Sequence, residues 1–445
     1  MGAERLTAEV RAAVDHVART SRGHLIANLA AGHRDLALAE DAFSAAMEQA
    51  LRTWPNTGVP ANPPAWVLTV ARNHQRDVWK SAARRTSVPL NAAVLDGAAE
   101  HPAVEAGAIE DRRLELLFVC AHPAIDVQVH TPLMLQVVLG VDAARVAAAF
   151  AVSAAAMAQR LVRAKRRIKH ARIPFAVPGP EVLPERLPAV LEAVYGCFAI
   201  GHDDPTPVGA DLAVEAQHLA VSITELLPRE PEVWSLAALI AFARARTANG
   251  GRHHGADWED AFVPLEEQDT SGWDAALIAA GDQWLRRAQR IGPLGRFQLE
   301  AAIQAVHCDR RRTGATDWQA LHLLYRALVE LAPTLGAHIA LAAVTGRARC
   351  PQAGLAELDR LRATWAGPGA VESYQPFHAV RAHLLLAAGR KTQAAAAFTT
   401  AAALSRHPGP RRYLEQAIGA VPGDQGGTER VHRAGVTTGI KGNDG

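Results

Sequence analysis

The sequence predicts an all-α chain in three parts, and three observations lead there. Helical periodicity runs nearly throughout the 445 residues, with no sustained alternation of β-branched and aromatic residues that would mark strands. Hydrophobic residues make up 49% of the chain but aromatic ones only 5%, and alanine is abundant, a composition suited to helices packed closely through small side chains. Two stretches interrupt the periodicity: 86–106, which has little of it, and the proline-rich 173–188.

Taken in order, residues 8–31 and 35–54 read as two helices around a turn at Gly32. "PNTGVPANPP" (55–64) is a rigid loop, because proline restricts its own φ and the conformation of the residue before it. A third helix follows over 64–85, with Pro64 in its first turn. Residues 86–106 read as a linker, and helices resume at 108–120, 126–139, 142–150 and 153–171. Beyond the boundary at 173–188, a helical region spans 187–420, with loops at 201–209 and 249–271. Near its end Gly389, Ala394, Phe398 and Ala401 are spaced as in the second half of a tetratricopeptide-type hairpin, where small residues admit a second helix and an aromatic ring fills the gap. "PQAGLAELDRLRA" (351–363) reads as part of another such unit, and the Gly-rich polar stretch 421–445 as a disordered tail.

The net charge is only +2, so "MAQRLVRAKRRIKHA" (157–171), with six Arg and Lys and no acid, is a local concentration of positive charge. Met157, Leu161, Ala164 and Ile168 form one apolar stripe through it, while Gln159, Arg160, Arg163 and Arg166 fall on or beside the opposite face. Upstream lie a short helix holding Val146 and Phe150, a turn at Ala151–Val152, and Ser153 placed as an N-cap. That is the layout of a helix-turn-helix, in which an apolar stripe fixes the pose of a helix whose polar face reaches bases and phosphates. The helix over 65–85 carries Arg72, Arg76, Lys80, Arg84 and Arg85 around Trp66 and Trp79. Cations interleaved with rings suit unpaired bases; Trp66 reads as core, and Trp79 fits either role.

The sequence contains no Walker-type loop, Gly-x-Ser-x-Gly or His-Glu-x-x-His, and no catalytic residue, metal site or cofactor is expected. His253 and His254, with Asp257, Glu259 and Asp260, lack tight ligand spacing and read as a solvated loop. Cys120 and His122 read as a packed helix end, and the four cysteines lie far apart, which fits a reducing, cytoplasmic setting. The N-terminus is charged from residue 4 and lacks a signal-peptide core, and no apolar run approaches the roughly 20 residues needed to span a bilayer.

The two basic segments in this order, "MAQRLVRAKRRIK" with "NPPAW", resemble a bacterial extracytoplasmic-function (ECF) sigma factor of the subgroup with a tetratricopeptide-like C-terminal extension. The resemblance covers about residues 20–420. "LALAEDAFSAAMEQALRTWPNTGVPANPPAWVLTVARN" is similar to sigma domain two. "LELLFVCAHPAID" and "AAAFAVSAAAMAQRLVRAKRRIKHARIPFAVP" are similar to sigma domain four, and "LEEQDTSGWDAALIAAG" and "FHAVRAHLLLAAGRKTQAAAAF" to the extension. It implies sigma domain two at 8–85, a linker at 86–106, a helix-turn-helix domain four at 107–172, and a regulatory helical extension at 187–420.

The implied roles are those of promoter recognition. Domain two would bind the β′ clamp helices of RNA polymerase core, with Asp41 on the polymerase-binding helix. Arg72, Asn73, Asp77, Lys80 and Arg84 would face the −10 element. Ser153, Gln159, Arg160, Arg163, Lys165 and Arg166 would serve at the −35 element, where domain four also meets the β flap. The extension would control the factor in place of a separate anti-sigma protein, and would have a protein partner of its own. Departures stand at Arg76, at Ser81, at "GCFAIGHDD" and at "ALAAVTG". Two rival readings are a helix-turn-helix regulator acting without polymerase, which has no use for the basic helix at 65–85, and a repeat scaffold that has lost its DNA role.

Overall fold

The computed structural model describes residues 2–86, 109–150, 152–204, 206–247, 262–367 and 369–420; for 2–7, 82–86, 203, 207 and 247 it describes the backbone alone. Among these residues there are nineteen α-helices, two short 3-10 helices and no strand, the all-α fold that the periodicity predicts. The linker expected over 86–106, apart from Thr86, and the tail 421–445 lie outside the described residues, as do His253, His254, Asp257, Glu259 and Asp260. No single described helix is long and apolar enough to cross a membrane.

The helices are α1 (Gly2–Thr20), α2 (Arg22–His33), α3 (Leu36–Thr57), α4 (Pro63–Thr86), α5 (Arg113–Cys120), α6 (Val127–Val137), α7 (Ala143–Ala149) and α8 (Ala154–His170). Then come α9 (Leu183–Asp203), α10 (Pro207–Leu226), α11 (Pro231–Thr247), α12 (Ala275–Ile291), α13 (Arg296–Thr313), α14 (Trp318–Leu331), α15 (Leu335–Ala348), α16 (Pro351–Thr364), α17 (Gln375–Ala387), α18 (Lys391–Leu404) and α19 (Pro408–Ala420). The helix expected over 8–31 is two, parted at Ser21. Thr20 Oγ1 donates back to the His16 carbonyl at 2.9 Å, a competing bond that weakens helix continuation. The turn expected at Gly32 falls at Arg34, left-handed at φ 54°. α9 starts inside the proline-rich stretch, with Pro184 in its first turn, where a missing N–H costs nothing.

The chain forms two compact units, which part between Asp317 and Trp318, within the extension expected over 187–420. In the first unit one continuous apolar core runs from Val10 through Phe118, Leu133, Leu161 and Val194 to Phe242, Phe297 and Cys308. The residues expected to form separate recognition domains therefore share a core with the first half of the extension. At Gly196 of α9 a side chain would begin 3.8 Å from Leu135 of α6, a van der Waals contact that packs α9 against α6, the helix before α7.

The second unit has its own core, in which Leu358, Phe377, Ala394, Phe398 and Ala401 are buried. The hairpin spacing at 389–401 works as its chemistry predicts. Gly389 takes φ 76° in the turn between α17 and α18, and Phe398 packs edge-on to His383 with ring centres 5.0 Å apart. α16, the helix of "PQAGLAELDRLRA", packs against α15, where a side chain on Gly354 would begin 2.6 Å from the Ala342 carbonyl oxygen.

Candidate nucleic-acid interface

The helix-turn-helix is assembled from local signals. Asp142 caps α7 by accepting from the backbone N–H groups of Ala144 and Arg145, each at 2.9 Å. Ser153 caps α8, its Oγ accepting from the Ala156 N–H at 3.2 Å. The two helices lie at 110° to one another, within the range of the motif, and Ala151 of the expected turn lies outside the described residues. Met157, Leu161, Ala164 and Ile168 are buried along α8, as is Val146 of α7, whereas Phe150 at the end of α7 is 40% exposed.

On α8, Gln159, Arg163 and Arg166 are exposed, Arg160 and Lys165 are half-buried, and Ser153 is exposed at the cap. The last turn adds Arg167, Lys169 and His170, a favourable place for cations because the helix dipole is negative there. Arg167 also anchors the helix by donating from Nε to the Ala124 carbonyl at 3.2 Å.

The second basic helix, α4, packs its first half inward. Trp66 lies against the core with its ring 5.3 Å from that of Trp54, edge to face, which is the role read for it. Gln75, only 2% exposed, donates to the Leu29 carbonyl at 3.4 Å and so ties α4 to α2. Arg72 is half-buried, and burial together with the charge of Arg76 pulls its guanidinium below the usual range. Arg76 bonds Asn73 at 3.2 Å, and Asn73, Asp77 and Lys80 are exposed. Trp79 is 42% exposed, its ring tilted against that of His33 with centres 5.3 Å apart. Arg84 lies on α4, but its side chain is outside the described residues.

α3 packs against both basic helices. Asp41 is exposed on it. Its neighbour Glu40 is not: Lys165 of α8 and Arg22 of α2 both pair with this carboxylate. Asp35, which caps α3 through the Leu38 N–H, pairs with Lys169. No role for Glu40 or Asp35 is legible in the sequence, since nothing in a pattern marks two acids as partners of lysines some 130 positions away.

Further pairs fasten the first half of the extension to what precedes it. Arg145 of α7 meets Asp204 at 2.8 Å, and Arg19 of α1 meets Asp211 at 3.1 Å. Arg113, at the start of α5 with 8% of its side chain exposed, bonds Asp111 and reaches Glu215 of α10. Among the described residues no group of His, Cys, Asp and Glu has the arrangement of a metal site. Cys120 is fully buried, and burial pushes its thiol well above the usual range, as the reading of a packed helix end implies.

Residues 186–289 match a family of unknown function (DUF6596). An uncharacterized protein of Rhizobium meliloti (strain 1021), R00370, is 35% identical over 397 residues, which cover 86% of this chain and 90% of that protein. The chain belongs to the family of this rhizobial protein. No solved structure matches the chain.

Proposed function

We propose that this chain is a sigma factor of the ECF type, directing RNA polymerase to promoters under the control of its helical extension. The observation that carries the proposal is α8. Its apolar stripe is buried in the core, it follows a short capped helix across a 110° bend, and Gln159, Arg163 and Arg166 stand exposed on its outer face. A helix held so presents donors to the edges of bases without having to order itself first. On this reading α8 reads the −35 element, and Asn73, Asp77, Lys80 and the exposed Trp79 on α4 meet the −10 element, whose unpaired bases stack on rings. Asp41 on α3 meets the β′ clamp helices, and domain four also meets the β flap. The extension acts on a shared core rather than through a loose tether, which the pairs from Arg19, Arg113 and Arg145 to the extension support. The function needs no catalysis, metal or cofactor from this chain, and its setting is the cytoplasm, where polymerase and promoter DNA are its partners.

The test is capture of bacterial polymerase core by the purified chain, followed by run-off transcription from fragments of the source genome. Promoter-dependent transcript is the expected result. Duplex binding without polymerase capture would instead favour a polymerase-independent regulator, and neither activity would favour a scaffold.

A further inference from the structure

Two lysines of the basic helix already have anionic partners. Lys165 Nζ lies 2.6 Å from Glu40 Oε2, with 10% of the lysine side chain and 18% of the glutamate exposed. One turn further on, Lys169 Nζ lies 2.7 Å from Asp35 Oδ2. Glu40 belongs to α3, and Asp35 caps it. The other oxygen of Glu40 is taken by Arg22 at 3.3 Å, and Arg22 is itself held by the Gln136 carbonyl at 2.9 Å. The carboxylate is thus fixed from two sides, and shielding from water makes its bond to Lys165 stronger than an exposed pair would be. Cys120, fully buried at the end of α5, lies close enough to both Lys165 and Glu40 to feel their charges.

The position of these lysines on α8 matters. Lys165 and Lys169 are four apart, hence on one flank, about 60–100° around the helix from Arg166, which stands exposed on the outer face. A helix about 10–12 Å across nearly fills a major groove about 12 Å wide, so its flanks run beside the phosphate backbones. The flank bearing Lys165 and Lys169 is where phosphates would lie, and α3 now lies there, carboxylate against ammonium.

We infer that α3 is an intramolecular lock on the basic helix: Glu40 and Asp35 stand in for DNA phosphates on Lys165 and Lys169, and α8 enters a major groove only after α3 and α8 part. The inference rests on the DNA-binding reading of α8. It accounts for why the outer face of α8 is exposed while the flank beside it is paired.

The full-length chain and four variants test it: Glu40→Gln, Lys165→Gln, the two combined, and Glu48→Gln. The last removes the same charge from α3, but among the described residues Glu48 pairs only with Arg52 one turn along the same helix. Gln at 40 keeps an oxygen for Arg22, and thermal melts by circular dichroism check that each variant folds. The first readout is the rate at which N-ethylmaleimide modifies Cys120, resolved by peptide mass spectrometry from buried Cys197 and Cys308 and exposed Cys350. Glu40→Gln and Lys165→Gln should each raise that rate by about tenfold, with the combination no faster than either, as for residues acting through one contact. Glu48→Gln should leave it unchanged. The second readout is affinity for a labelled random-sequence duplex, which Glu40→Gln should raise by about tenfold over Glu48→Gln, since a lock reduces apparent affinity by the fraction of chains held closed. Unchanged labelling of Cys120 overturns the lock, whatever the DNA result. Faster labelling with duplex affinity equal to that of Glu48→Gln overturns its role in masking DNA. No duplex binding by any of the chains overturns the DNA reading itself, while the labelling rates still decide whether α3 and α8 are locked.

Discussion

Arg113→Met removes the cation that joins the start of α5 to α10. In the native chain its guanidinium bonds both oxygens of Asp111, from Nε at 2.9 and 3.1 Å and from Nη2 at 2.6 Å, and also reaches Glu215. Only 8% of the Arg113 side chain is exposed, against 36% for Asp111 and 28% for Glu215. Removing one partner of a fully buried pair costs about 3–5 kcal/mol, because the other charge is left without compensation. Here both acids keep access to water and can rehydrate, so the expected loss is about 2–3 kcal/mol. Hydrogen exchange in α5 and α10 should then accelerate about thirty- to hundredfold, at about 1.4 kcal/mol per tenfold.

The pH dependence follows from the same contacts. Burial raises the pKa of Asp111, but the hydrogen bonds and charge of Arg113 outweigh it and hold the carboxyl below its ordinary 3.8. A carboxyl lowered on folding contributes stability above its unfolded value, and loses it as the pH falls through the folded one. The native chain should therefore lose this contribution below about pH 3.8, whereas Arg113→Met should lack that component. Adding Asp111→Asn and Glu215→Gln to Arg113→Met should restore much of the loss by removing the unpaired charges. Arg113→Met within about 0.5 kcal/mol of wild type, the range of an ordinary surface change, would refute the reasoning. A triple variant as unstable as the single one would show that packing, not charge, is what Arg113 supplies.

Arg160→Ala with Arg163→Ala should weaken binding at a cognate −35 site by about 1–3 kcal/mol for a base contact, and less for phosphate contacts alone; unchanged promoter binding in a mobility-shift titration would remove α8 from the interface. Asp41→Lys should weaken capture of polymerase core without changing helical content, and equal co-purification would place that interface elsewhere. Residues 1–185 expressed alone should aggregate or bind a hydrophobic dye, because Leu135 and its neighbours lose the cover of α9; a soluble fragment with native helicity would show that the first eight helices need no extension. Gly281→Ala should cost about 1–3 kcal/mol by thermal melt, since the added carbon would begin 2.9 Å from the ring of Phe242 inside a packed core.

The sequence by itself determined what depends on neighbours along the chain. Period-3.6 patterning placed α3, α4, α7 and α8 nearly where they lie, Ser153 declared the start of the basic helix, and the spacing of Gly389, Ala394 and Phe398 marked a helical hairpin. Each of these rests on interactions within a few residues, or on an apolar stripe that must find some core, whichever core it is. The break at Ser21 was less legible, because helix propensity there is a matter of small differences. Tertiary structure alone decided which stripes share a core and which charges meet. The division at Asp317 and Trp318 follows from α9 to α13 packing on the same core as the helices before them, which no composition shift announces. Lys165, legible as a cation of the basic helix, proved to be paired with Glu40, and Arg113 with Glu215. A charge pattern tells that a side chain needs a partner or water; only the fold, by bringing distant segments within 3 Å, chooses between them.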